Sequence, residues 1–430
     1  YKDYLKKDSS IIAKSTLKWG VNFQMDDFTD RLSEWRMIDS AGYSVPQNTP
    51  NEVKLFETIK GDLALQSQRY TSFVELNSQW SKNKKNYAVE VRKKYRDVKG
   101  KKYYKTFRDT FDNSAAKWAL SIGSRAGYTT ANNEYFITPR ASVSYSPRVH
   151  MVRDTSIIRR GVNFRFATGM YYQPPFYREF RTFTGNLNMN VKSQKSAHFV
   201  AGGDMYFNMC DREVPFKFTA EAYYKYLWDV NPYEIENVRT RYYANNDAVA
   251  YAYGLDLNIY GQFVEGIESF FKVGFLSTKE DILNDYYDEY YNAAGEKIIF
   301  GYSEDQTVVD SARIYPGYVP RPTDQIFTFG ALIQDRMPKY ESFSVQVGIQ
   351  YGAPLPYGPP DFNRYKDTLR LKAYFRVDIG MSYDFLYKAQ MEERETFWTR
   401  NFDDAILSFE VFNLLGINNC LLYTSDAADE

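Results

Sequence analysis

The chain has 430 residues with 54 Lys+Arg against 54 Asp+Glu, and this zero net charge gives no whole-chain attraction to nucleic acid or anionic lipid. Mean hydropathy is low, at −0.54, and no apolar run reaches the roughly 18 residues a spanning helix needs. Two cysteines, Cys210 and Cys420, rule out a disulfide framework, and two histidines, His150 and His198, leave little material for a transition-metal site.

Taken in chain order, the sequence alternates. Leu17, Trp19, Val21, Phe23 and Met25 are interleaved with Lys18, Gly20, Asn22 and Gln24, which predicts a strand with one apolar and one wet face. A polar segment with Pro46 and Pro50 follows, and Tyr70, Val74, Leu76 and Trp80 form one face of the next strand. Residues 82–108 then carry twelve Lys/Arg against Glu90 and Asp97. This basic insertion could meet phosphate-bearing lipid heads, or it could be a solvated hairpin outside the membrane.

Short strands are expected around 118–125, 141–145 and 162–166. Residues 197–208 and 216–226 form a predicted hairpin across 210–215, and 251–259 with 271–275 form another across 264–267. After a long interruption at 277–324, residues 327–333 turn back at 337–341 into 343–351. A Pro/Gly-rich loop leads to 371–385 (LKAYFRVDIGMSYDF), where the period of two is sustained for fifteen residues, and the final strand is 407–411.

A fifteen-residue strand spans roughly 50 Å, against about 17–20 Å for an ordinary one. A tilted barrel wall is the commonest home for such a length. Aromatics make up 18% of the chain, with 39 Tyr and 31 Phe; transmembrane barrels collect these in interfacial girdles while lumen residues lower the mean hydropathy. Short links alternate with long ones at 173–192, 231–247, 277–324 and 352–367. The fold class is therefore read as all-β, an antiparallel transmembrane β-barrel fragment with long extracellular loops and short periplasmic turns.

Particular residues then resemble a family. Segments 138–142 (TPRAS), 172–177 (YQPPFY), 192–203 (KSQKSAHFVAGG), 216–225 (FKFTAEAYYK), 321–325 (RPTDQ), 355–360 (LPYGPP), 374–380 (YFRVDIG) and 407–414 (LSFEVFNL) are similar, in order, to TonB-dependent outer-membrane receptors. The motif positions carried over are Arg140, Gln173, Pro174, Pro175, Arg376, Asp378, Gly380 and Asn413. The resemblance implies a 22-strand barrel around an N-terminal plug, with residues 1–419 as the later part of that barrel. It also implies localisation in the Gram-negative outer membrane. The implied partners are outer-membrane lipid, TonB through an N-terminal region missing here, an extracellular ligand and, as a further option, a surface lipoprotein. No nucleic acid and no cofactor are expected.

The chain starts at Tyr1 without an initiator Met or a signal pattern, and is read as lacking its true N-terminus. Residues 420–430 (CLLYTSDAADE) look like translated sequencing adapter joined to a truncated gene, and are set aside. With two sheet edges unpaired, such a piece is not expected to insert as a stable monomer.

No enzyme motif is present: neither GxSxG, HExxH nor a P-loop occurs. Asp204, Asp256 and Asp378 fall on wet strand faces as solvated lumen residues, and Gly254 and Gly380 ease packing or curvature. Ligand contact is expected on the long loops, above all at Asp285, Tyr286, Tyr287, Asp288, Glu289, Tyr290 and Tyr291. Tyrosine faces can stack on sugars or aromatic ligands, and the carboxylates can accept sugar hydroxyls or hold a hard cation such as Ca²⁺. The competing account is a solvated loop whose tyrosines pack on each other. The function expected from the resemblance is energised uptake of an iron chelate, cobalamin, oligosaccharide or peptide. A passive channel or adhesin barrel, or a soluble β-rich binding protein, is the alternative.

Overall fold

The computed structural model describes residues 3–7, 11–38, 54–82, 85–96, 102–113, 116–147, 150–153, 156–159, 161–209, 215–236, 239–264, 267–299, 303–337, 340–358, 364–366, 368–386 and 405–419. Cys210 and the tail 420–430 lie outside them.

The chain opens with β1 (Asp3–Lys7), β2 (Ile11–Ile38) and β3 (Lys54–Lys82), then a hairpin of β4 (Lys85–Arg96) and β5 (Lys102–Asn113). Next come β6 (Lys117–Thr129), β7 (Glu134–Ser146), a small hairpin of β8 (His150–Arg153) and β9 (Ser156–Arg159), β10 (Gly161–Gln173) and β11 (Gln194–Phe207). β12 (Phe216–Val230) is followed by β13 (Tyr233–Glu236), β14 (Arg239–Tyr242), β15 (Ala248–Val264) and β16 (Ile267–Ile282). β17 (Tyr287–Tyr291), β18 (Asp310–Ile314) and β19 (Val319–Pro320) precede β20 (Phe327–Met337) and β21 (Tyr340–Gly352). The last are β22 (Pro356–Tyr357), β23 (Leu369–Arg370), β24 (Tyr374–Asp384) and β25 (Ile406–Val411).

Fifteen of these strands form one antiparallel sheet in the order β1-β2-β3-β6-β7-β10-β11-β12-β15-β16-β20-β21-β24-β25, with β19 beside β16. All thirteen strands expected from alternation lie on this path. The register explains why alternation was so regular. Leu120, Val143, Phe166, Ala201, Ala222, Leu255, Phe275 and Phe327 are successive partners, an unbroken apolar row across eight strands. On the opposite face, Ser144, Arg165, Gly202, Glu221, Asp256, Gly274 and Thr328 pair in the same way without one apolar side chain.

Among the described residues, nothing packs over the apolar face. Trp19 is 74% exposed, Val21 81% and Phe409 66%. The two buried apolar clusters, Phe180/Val191/Ala244 and Val230/Ala248/Ala250, sit instead among the connections at one end of the sheet. A sheet that buries its backbone pairs but bares its apolar row is solvated by hydrocarbon. Aromatic residues bound the apolar band at both ends. Toward the long connections, Phe275–Phe327, Phe327–Tyr351 and Tyr351–Phe375 lie at ring separations of 5.3, 5.8 and 6.5 Å. Toward the short turns are Trp118–Tyr145 at 4.4 Å and Tyr383–Phe385 at 4.8 Å. Between Phe375 and Tyr383 the strand runs about 26 Å, which is about 20 Å of height at a tilt of about 40°. The sheet is thus the wall of a transmembrane β-barrel.

Three expectations change in detail. β24 starts at Tyr374, not Leu371, because the ladder with β21 ends at Gly352↔Tyr374. Pro354 has no N–H to extend that ladder, and the Leu371 N–H turns to Leu355 O at 2.9 Å instead.

The strand pair β2–β3 is far longer than the alternation showed, pairing continuously from Ile11↔Lys82 to Ile38↔Lys54 apart from one register shift near Arg36. β6 accompanies β3 only from Ser81 to Arg69, so a two-stranded ribbon runs roughly 50 Å beyond the wall. One face of that ribbon is covered by the first outer connection, burying Ile59 and Leu63, and the other is exposed, so the ribbon has left the lipid while its hydrogen-bond ladder continues.

The third concerns the turn end. Links β11–β12, β15–β16 and β20–β21 are short as expected, but the β4–β5 and β8–β9 hairpins emerge at that same end. The basic insertion is therefore a hairpin on the turn side of the wall.

Candidate outer-loop site

Connections 174–193, 231–247, 283–326 and 353–373 leave the sheet at one end, together with the ribbon of β2 and β3. Within the third, the tyrosine-rich stretch forms β17, paired with β18 from Tyr287↔Ile314 to Tyr291↔Asp310. Its carboxylates are engaged within the hairpin. The Arg313 guanidinium donates to Asp288 at 2.9 and 3.4 Å, and this hydrogen bonding holds the Asp288 carboxyl below its ordinary value. Glu289 accepts from Lys297 Nζ at 2.6 Å and from the Tyr291 hydroxyl at 2.8 Å, which lowers it as well. Burial pushes Asp285 up, with Asp281 adding to the effect.

The rings are arranged around those pairs. Arg313 lies 4.0 Å over the Tyr286 ring, Tyr286 faces Tyr315 at 6.3 Å, and Tyr287 faces Tyr365 of the fourth connection at 6.5 Å. The Tyr290 carbonyl accepts from Ile298 N at 2.7 Å. Tyr286 remains half exposed, so the hairpin presents a tyrosine plate backed by a cation rather than a ring of free carboxylates. Among the described residues, no three His, Cys, Asp or Glu side chains converge as a metal site.

The pairing of Asp288 and Glu289 gives a pH prediction. Their folded pKa values lie below the unfolded values of 3.8 and 4.5, so the native state releases protons more readily than the unfolded one. Their stabilisation is full above about pH 4.5 and is lost as pH falls through the lowered values. Amide protection of 287–291 and 310–314, corrected for intrinsic exchange, is expected to fall on acidification, and Asp288→Asn to flatten that pH dependence. A wild-type profile already flat through this window would contradict it.

The motif positions collect in two places. At the β24–β25 corner, Arg376 Nε donates to Asp378 Oδ1 at 2.7 Å, and the same oxygen accepts the Asn413 backbone N–H at 2.9 Å. Asn413 takes a positive φ of 53° and closes its own turn by accepting from Ile417 N at 3.3 Å and donating to Ile417 O at 3.1 Å. Gly380 lies on the same polar face, where a Cβ would strike Gln346. Arg376, Asp378 and Asn413 staple the strand end; Asp378 and Gly380 line a concavity of about 790 Å³ with Lys272, Gln346 and Asn419. Arg140 is elsewhere, 4.3 Å over Tyr171, whose ring stacks on His198 at 4.2 Å. Gln173 and Pro174 start the next connection, and Pro175 is buried beneath it.

Alternation and motifs missed the connections' shared anchoring. Tyr177 stacks on Phe28 of the ribbon at 4.4 Å, and Arg181 pairs with Asp30. Asn231 Nδ2 donates to Glu179 O at 3.1 Å, tying the second connection to the first. Arg364, only 2% exposed, then joins the second, third and fourth. Its Nε donates to Glu234 Oε2 at 2.9 Å and its Nη2 to Glu280 Oε1 at 2.5 Å and Tyr233 O at 3.2 Å; Nη1 donates to Pro320 O. Arg321 holds the other Glu280 oxygen at 3.0 Å. Burial pushes the Glu234 carboxyl up against the pull of Arg364. Beside this network, Arg370 Nη2 donates to Asp324 Oδ2 at 2.6 Å while Asp324 Oδ1 accepts from Thr278 N at 2.7 Å. Nothing in the sequence flags Arg364 among 54 Lys and Arg, because the acceptors around its guanidinium come from 44 to 131 residues away.

No family model matches the sequence, and no curated protein matches it. Among solved structures, the outer membrane transporter YddB from Escherichia coli is 11% identical over 96% of this chain and 58% of its own, with a TM-score of 0.41. The ferric-catecholate import receptor Fiu, also from E. coli, is 11% identical over 95% and 58%, with a TM-score of 0.40. A variant of the ferric enterobactin receptor PfeA from Pseudomonas aeruginosa is 10% identical over 96% and 55%, again at 0.40. The chain thus spans a little over half the length of these proteins.

Proposed function

We propose that this chain supplies barrel wall and outer loops to a TonB-dependent transporter of the Gram-negative outer membrane, which takes up a scarce ligand too large for passive pores. The observation that carries the membrane part of this reading is the two-faced register: an apolar row unbroken over eight strands, bared to the surroundings and bounded by aromatics. The transport part rests on the ordered motifs, with Arg376, Asp378, Gly380 and Asn413 forming one corner. Ligand contact falls to the outer connections, with Tyr286 and Arg313 as the exposed plate. Iron chelate, cobalamin, oligosaccharide and peptide are the ligand classes. TonB would act through residues outside this stretch, and the reading leaves room for a surface lipoprotein over the loops.

Energised uptake separates this reading from a passive channel. Cells expressing the complete gene are expected to accumulate the ligand only with TonB and a proton-motive force. Uptake that persists after TonB deletion or uncoupling would place the protein among passive barrels.

A further inference from the structure

Around Arg364 the acceptors form a built receptor. Both Glu234 oxygens, Glu280 Oε1, and the carbonyls of Pro320 and Tyr233 surround one planar guanidinium. Glu280 is 0% exposed and Glu234 4%. Two carboxylates this deeply buried need a cation, since an uncompensated buried charge costs several kcal/mol. All three nitrogens of the rigid planar fork donate to these fixed oxygens, Nε to one, Nη1 to one and Nη2 shared among three, an arrangement a rotating ammonium cannot reproduce.

Those oxygens come from the second and third connections and the end of a wall strand, and the guanidinium from the fourth connection. Tyr233 and Glu234 belong to β13, Glu280 to the end of β16, Pro320 to β19, and Arg364 to the stretch after β21. The cation is tethered, and the Thr368 hydroxyl donates to the Arg364 carbonyl at 2.7 Å.

We infer that Glu234, Glu280, Pro320 O and Tyr233 O form a guanidinium receptor which Arg364 occupies as a tethered ligand. One residue then holds three outer connections together, and a ligand bearing a guanidinium or amidinium group frees the fourth by taking its place while still joining the second and third. Tethering gives Arg364 an effective concentration in the millimolar range. A free monovalent competitor therefore fails below that range on the native chain but fills the receptor once Arg364 is removed. This inference stands on the loop geometry and does not require the transporter reading.

The test is hydrogen exchange on the full chain in detergent, with methylguanidinium as probe. In Arg364→Ala, exchange at 233–236, 239–242 and Val319 is expected to rise together by at least tenfold. Millimolar methylguanidinium should restore protection, and equal NaCl should not. A rise confined to the residues flanking position 364, or no restoration in a chain that still migrates as folded, overturns the inference. If Arg364→Ala does not fold, Arg364→Lys keeps the charge without the fork. The same segments should then loosen together and be re-protected by methylguanidinium; native-like protection without the probe would overturn the proposal equally.

Discussion

Replacing Asp324 by alanine is expected to destabilise the chain by about 2–4 kcal/mol, the lower part of the range for breaking a buried ion pair. Asp324 is 2% exposed, and its two carboxylate oxygens do different work. Oδ1 accepts the Thr278 backbone N–H at 2.7 Å where β16 leaves the wall, and Oδ2 takes Arg370 at 2.6 Å where the chain returns toward β24. Alanine orphans a buried N–H and takes the carboxylate from Arg370, whose Nη1 keeps only the carbonyls of residue 324 at 3.0 Å and Pro354 at 2.9 Å. Arg370 is about one-third exposed and can rehydrate in part, which is why the upper end of the range for buried pairs is not reached. Asp324→Asn keeps an acceptor for Thr278 and should lose about half as much. Urea unfolding in detergent measures both. Equal midpoints for wild type and Asp324→Ala would show that the two connections are anchored by something else.

Leu257→Arg should be equally damaging for a different reason. Leu257 sits in the apolar row of β15 between Ala220 and Val273, on the face assigned to lipid. A guanidinium near the bilayer midplane costs about 2–4 kcal/mol in barrel walls. Its chain neighbour Asn258 pairs with Thr219 and Lys272 on the polar face. Asn258→Glu, beside Lys272, should stay within about 0.5 kcal/mol, as surface charges generally do. Folding of the complete gene product in lipid vesicles under urea compares the two. Similar small losses at both positions would mean that water, not hydrocarbon, bathes the apolar row.

The polar face supports that assignment by how it treats charge. Asp204, read from the sequence as a solvated lumen residue, accepts from Thr219 Oγ1 at 2.8 Å and is approached by Arg165 at 3.2 Å and Lys217 at 3.4 Å. It is 5% exposed, held in a cross-strand cluster rather than solvated freely. At Gly254 an added Cβ would collide with Phe275 O and the Tyr223 ring, so glycine there lets a tyrosine lie flat across the ladder.

The strands were legible because a wall one residue thick between lipid and water writes its two environments into alternate positions. Wherever that contrast holds, from Leu17 to Val411, alternation found the strand. Where it fades, the signal fades with it: the outer parts of β2 and β3 have protein rather than lipid on one face, with Ile59 and Leu63 buried under the first connection, and their backbone pairing from Asp26↔Ser67 outward shows that they continue. Leu371 failed for the opposite reason, since its apolar spacing continued the pattern while Pro354 opposite removed the ladder.

Sequence alone therefore determined the β class, the strand order and the membrane-facing rows, because these follow from a local period of two and from short reversals. The resemblance carried over Arg376, Asp378 and Asn413 among eight motif positions, without showing that one carboxylate oxygen joins these three. Only the tertiary structure decided how the outer connections are held. Arg364 meets Glu234 and Glu280, and Arg181 meets Asp30, across separations of 84 to 151 residues. Such pairs have no periodicity; their energy comes from excluding water around charges that the fold alone brings together.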